Sequence, residues 1–166
     1  AEGRADRTEE VLLLGMLSRI YLRIGEPLAG EAFARRAVAS AESMSDSKLL
    51  ADTLIHLGST LLSANANESV DCYMRALETV EAQGDVIAQA RCHINVGIAM
   101  SQLGQSDASR ERYERALELG RRAHTPDIVG LASLNLAVLH MKIGRFEEAD
   151  VGLTEAMQEF QIVRNE

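Results

Sequence analysis

Four histidines, two cysteines and a cluster of arginines are the residues of this chain whose types lend themselves to chemistry. The histidines are His56, His93, His124 and His140, and no two stand at i, i+4, the spacing that sets two ligands on one helix face. Cys92 and His93 are adjacent, but neighbours on a helix point about 100° apart, and no further ligands accompany them. No metal site is expected. Cys72 and Cys92 read as reduced, at least partly buried thiols, because neither a second thiol nor a cation stands by to activate them. His93 shares a column with Leu14 and Leu54, and His140 with Tyr21 and Leu61, which predicts packed or half-buried imidazoles. His124 falls in a predicted turn and is expected to be solvated.

Arg110, Arg112, Arg115, Arg121 and Arg122 look basic, yet Glu111, Glu114 and Glu118 are interleaved with them. Helical pairs such as Glu111–Arg115 and Glu118–Arg122 predict a solvated face. Seventeen Lys and Arg against 25 Asp and Glu leave a net charge of -8, a field that opposes binding to a phosphate backbone. Carboxylates are plentiful, but nothing separates one acid from one base. No glycine-rich phosphate loop or nucleophile elbow appears, and no residue set fills the nucleophile, base and stabiliser roles. The expectation is a non-enzyme that needs no cofactor.

The remaining composition describes the elements. Apolar residues make up 46% of the 166, aromatics only 4%, with no Trp and two Pro, which favours helix. Apolar runs such as Val11 to Leu14 are too short to span a bilayer, no signal peptide is visible, and two cysteines make no disulfide framework. A cytoplasmic protein is expected. Arg outnumbers Lys fifteen to two, which reads as the codon bias of a GC-rich bacterial genome. The start at Ala1, without Met, suggests a piece of a longer protein.

The strongest signal is a repeat. Arg75-Ala76-Leu77-Glu78 and Arg115-Ala116-Leu117-Glu118 are identical and 40 residues apart. The same register aligns Ala37, Ala76, Ala116 and Ala156, with Ala34, Tyr73, Tyr113 and Leu153 three residues earlier. Gly30, Ser69, Ser109 and Ala149 form a small-residue column, and Ser18, Gly58, Gly97 and Ala137 form another. Asp6, Asp46, Asp85 and Thr125 sit where helix N-caps are needed, and Pro126 suits a first helical position. Gly25, Asn65, Gly104 and Gly144 suit left-handed turns between paired helices. The apolar spacing of Leu14, Leu17 and Tyr21 matches that of Leu54, Leu57 and Leu61. Small residues stand where two helices must approach closely. The whole chain, 1–166, is therefore expected to be one repeat domain, with units at about 6–45, 46–84, 85–124 and 125–166.

These columns resemble the tetratricopeptide repeat. Its leucine–glycine pair resembles Leu57-Gly58 and Val96-Gly97, with Leu136-Ala137 and Leu17-Ser18 as weaker copies. Its small, aromatic and alanine positions resemble Ser69, Tyr73, Ala76 and Ser109, Tyr113, Ala116. The period is longer than the family's common 34 or so residues. In that it is similar to the variety of about 40 residues in kinesin light chains and bacterial signalling proteins. The resemblance implies an all-α fold: a right-handed superhelical solenoid of four helix-turn-helix repeats, with first helices lining a concave wall. It further implies a protein-interaction or scaffolding module of a larger bacterial regulatory protein, which binds a peptide or partner segment in that groove.

The inward positions implied by the resemblance are Arg19, Arg23, Asp52, His56, Ser59, Arg91, Asn95, Gln102, Asn135 and Lys142. Of these, Arg19, Arg23, His56, Ser59, Arg91, Asn95, Asn135 and Lys142 are the candidate partner-binding residues. Asn95 and Asn135 share one column, and such amides can pair with an extended backbone. The carboxylate clamp of some family members is not reproduced, since its first lysine position is Gly15. Two other readings stand beside the module: a small-ligand sensor, as in maltose-regulator-type activators, and a dimerisation domain. The last helix carries Leu153, Met157, Phe160 and Val163 at helical spacing, a face for a further repeat or for a second copy.

Overall fold

The computed structural model describes residues 2–165, and the side chains of 6–165. Among the described residues there are eight helices and no strand: α1 Glu2–Arg23, α2 Pro27–Ser43, α3 Ser47–Leu61, α4 Ala66–Gln83, α5 Val86–Gln102, α6 Ser106–Arg122, α7 Pro126–Lys142 and α8 Phe146–Asn165. The fold is all-α, and the helices follow one another as four helix-turn-helix pairs. Two compact units divide them, Ala1–Ala82 and Gln83–Glu166.

Helix starts follow cap chemistry. The Asp46 carboxylate accepts the Leu49 N–H at 3.0 Å, and the Asp85 carboxylate accepts the Ala88 N–H at 2.9 Å. Three expectations need correction. Asp6 caps nothing: α1 already runs from Glu2, because the preceding Glu, Ala and Arg are good helix formers. Thr125 precedes α7, but its side chain makes no cap bond and its hydroxyl is buried without a partner. Asn65 is not a left-handed C-cap. It accepts the Glu68 N–H at 3.2 Å and its amide donates to the Glu68 carboxylate at 3.1 Å, a side-chain cap that starts α4. The other three pair turns do use left-handed glycines, Gly25, Gly104 and Gly144. Ser45 and His124 take the same conformation between pairs, where the sequence reading placed no such residue.

Within the first unit, α3 and α4 meet at the small-residue columns. The Ser69 hydroxyl donates to the Gly58 carbonyl at 2.7 Å, and the Tyr73 ring packs against Gly58. The earlier pair, α1 and α2, makes a simpler approach, with Gly30 against the Ser18 carbonyl. Val11, Leu14 and Ala37 form a core there, with Phe33, Met44 and Leu49 packed on it. Tyr21 and Phe33 stack with ring centroids 5.2 Å apart. Leu14 is buried, but Leu17 of the same helix is exposed while its column-mate Leu57 is buried, because among the described residues no helix lies on that side of α1.

The second unit repeats the crossing. Ser109 donates to the Gly97 carbonyl at 2.8 Å beneath the Tyr113 ring, and Gly152 approaches Ala137. Ile94, Tyr113, Leu117, Leu119, Ile128 and Leu139 fill the core between α5, α6 and α7. Glu155 of α8 joins three helices, taking an ion pair from Arg121 of α6 and a hydrogen bond from Ser133 of α7.

A Cβ added at Gly97 would lie 2.5 Å from the Tyr113 ring. Gly97→Ala should therefore destabilise the chain despite better helix propensity, because overpacking costs about 1–3 kcal/mol against a gain of at most about 1 kcal/mol. Urea unfolding checks this. In Tyr113→Leu, which removes the obstructing ring, the same substitution should become neutral or stabilising.

Candidate functional site

The first helices of each unit lie side by side, α1 with α3 and α5 with α7. Their two buried faces hold them to second helices, and a third face carries polar side chains that the core does not use. The eight candidate residues stand on these helices: Arg19 and Arg23 on α1, His56 and Ser59 on α3, Arg91 and Asn95 on α5, Asn135 and Lys142 on α7.

In the second unit the wall is largely self-satisfied. Arg91 faces Asp127 at 3.7 Å, Lys142 donates to the Ser101 hydroxyl at 3.1 Å, and the Asn135 amide turns back to the Leu131 carbonyl at 2.7 Å. Asn95, half-buried, has no side-chain partner among the described residues. The shared Asn column thus splits into one amide bound to its own helix and one open.

In the first unit Ser59 is held by the Tyr73 hydroxyl at 3.0 Å and the Ile55 carbonyl at 3.0 Å. Arg19 and Arg23 are exposed and form no ion pair among the described residues. Arg19 borders a cleft of about 440 Å³ between α1 and α3, in which His56 and Asp52 stand on the opposite side. His56 Nε2 is buried without a partner. Burial first, then the Arg19 charge, pushes the His56 pKa down, so the ring is neutral at pH 7.

The other chemistry-bearing groups are structural. Cys72 and Cys92 are buried thiols in no disulfide, and burial pushes the Cys72 thiol up. Among the described residues no three His, Cys, Asp or Glu gather as a metal site, and no helix is long and apolar enough to cross a membrane. The arginine run is ion-paired, but along different rungs from those expected. Arg110 pairs with Glu114 at 3.0 Å and Arg115 with Glu118, while Arg121 reaches across to Glu155. His140 is half-buried and His124 exposed.

Sequence reasoning missed one surface. Leu13 and Ile20 on α1 are 59% and 53% exposed, whereas their column-mates Thr53 and Thr60 on α3 are each 8% exposed. With Leu17 and Ile24 they form an i, i+4, i+7, i+11 stripe, legible as helical spacing had the outer side of α1 been weighed. On α8, Met157 is 73% exposed while its column-mate Leu117 is 7% exposed. Val163 is exposed, Leu153 is half-buried, and the Phe160 ring rests on Gly130.

Residues 49–122 match the family described as tetratricopeptide repeat. No curated protein matches it. Among solved structures, BtubC from P. vanneervenii superposes with TM-score 0.80 at 18% identity, covering 94% of this chain and 65% of its own. The STAND signal-transduction ATPase with a tetratricopeptide repeat sensor from Pyrococcus horikoshii gives 0.83 at 16%, covering 96% and 25%. A Rap protein complexed with Competence and Sporulation Factor gives 0.78 at 16%, covering 92% and 44%. The chain spans less than two thirds of the length of each.

His93 supplies a pH test. Burial first, then Arg112 and Arg115, lowers its pKa from 6.5 to about 4. The unfolded chain therefore binds a proton that the folded chain refuses, and stability falls as pH drops from about 6.5 towards 4. The loss from this one group reaches up to about 3 kcal/mol. His93→Leu, matching the Leu14 and Leu54 column, should raise the urea midpoint more at pH 4.5 than at pH 7.5.

Proposed function

We propose that this chain of tetratricopeptide-type repeats is a protein-interaction module, part of a larger bacterial regulatory protein, that takes a partner segment on its first-helix faces. The carrying observation is that in both units those helices lie adjacent and present polar groups that the fold does not consume, Arg19, Arg23 and Asn95 above all. The Rap structure, a complex with Competence and Sporulation Factor, supports ligand binding on a similar fold. A photo-crosslinking residue in place of Arg23 or Asn95 should capture the partner in cells, and one in place of the exposed Glu78 or Glu118 on second helices should not. Arg19→Ser with Arg23→Ser should weaken the purified complex by about tenfold, as loss of desolvated charge contacts does. Equal capture from both faces would sink the reading.

A second reading, self-assembly, is favoured by the two open columns. Leu13, Leu17 and Ile20 on α1 and Met157 on α8 occupy columns that are buried in other copies of the repeat. Among the described residues these faces lack the neighbour that repeat stacking provides. A head-to-tail contact of copies would cover both. Light scattering should show mass rising with concentration, and Leu17→Glu with Ile20→Glu should return the chain to a monomer. A monomer at all concentrations would remove this reading.

A further inference from the structure

The cleft between α1 and α3 owes its depth to one missing side chain. Gly15 occupies a column that is Ile55 in α3, Ile94 in α5 and Leu134 in α7. A Cβ built at Gly15 would meet no atom within 4 Å. Glycine in mid-helix costs about 1 kcal/mol relative to a good helix former, and here no close approach requires it. What it leaves is open space lined by Val11, Met16, Ala37 and Leu49.

The rim adds charge to that apolar floor. Arg19 borders the cleft, and Arg23 stands one turn further along the same helix; together they also border an adjoining hollow with Met16 and Ile20. Neither has an ion-pair partner among the described residues, in a chain whose net charge is -8. Across the cleft, α3 supplies Asp52 and the buried, unpartnered His56 Nε2. The α1 side is therefore where an anion is favoured.

We propose that this cleft seats an apolar side chain of a partner peptide, whose neighbouring carboxylate is received by Arg19 and Arg23. The volume, about 440 Å³, suits an aromatic or branched aliphatic side chain with adjoining backbone. The ligand class is thus an apolar-acidic peptide segment. The inference rests on the interaction-module reading and assigns its ligand to the first unit.

The test is a selection of displayed random peptides on the whole chain, followed by fluorescence anisotropy with the selected peptides made synthetically. Expected are sequences with an aromatic or aliphatic residue within one helical turn or a few extended residues of Asp or Glu. Gly15→Leu, which fills the cleft, should lower affinity by at least about tenfold while the thermal midpoint holds or rises. Gly15→Ala should act in the same direction and more weakly. Arg19→Ser with Arg23→Ser should remove the preference for acidic peptides and flatten the salt dependence. Selected peptides indifferent to Gly15→Leu but lost on Asn95→Asp would overturn the cleft and leave the interaction reading standing. No selected peptide, with small apolar acids bound in its place, would overturn both.

Discussion

The crossing of paired helices at small residues is the constraint from which the rest follows. At Gly58 and Gly97 the second helix comes close enough for a serine hydroxyl to reach the first helix's backbone carbonyl. A tyrosine ring covers the glycine beside it. A side chain in this contact would meet the tyrosine ring and push the axes apart. Once the axes are fixed, each first helix has spent one face on its pair partner. The crossing does not dictate the residues of the remaining faces.

The same constraint explains what was readable in the sequence. Small residues at fixed spacing, alanines at 37, 76, 116 and 156, and caps at Asp46 and Asp85 are local signals, and four copies make them stand out. Ser69 and Ser109 were legible only as small; that their hydroxyls bind a carbonyl on another helix needs the helix axes in place. Asn65 could be read as a turn former or as a cap, and Glu68 three residues on decided for the cap. Thr125 has the right residue type but its hydroxyl points into the protein.

The wall was legible as positions and much less as availability. Arg91 with Asp127, Lys142 with Ser101 and Arg121 with Glu155 join residues 34 to 41 apart, beyond the reach of i, i+4 reasoning. Counting cations along a column therefore overstated the charge on offer in the second unit. Arg19 and Arg23, which form no ion pair among the described residues, lie in the first unit. The apolar stripe on α1 escaped for a related reason: its residues look like ordinary core positions, and their exposure depends on what does or does not lie against them.

Comparing columns across the four repeats separates frame from wall. The crossing columns stay small throughout: Ser18, Gly58, Gly97, Ala137, and Gly30, Ser69, Ser109, Ala149. The wall columns change character at each step, Met16, His56, Asn95, Asn135 in one and Arg19, Ser59, Ile98, Val138 in another. A face serving only solubility would need polar residues alone, and one serving only stacking would need apolar ones. Alternation of cation, imidazole, amide and aliphatic in equivalent places gives each repeat a different surface. Equivalent places in the four repeats therefore carry different side chains, while the crossing columns that hold each helix pair together stay small.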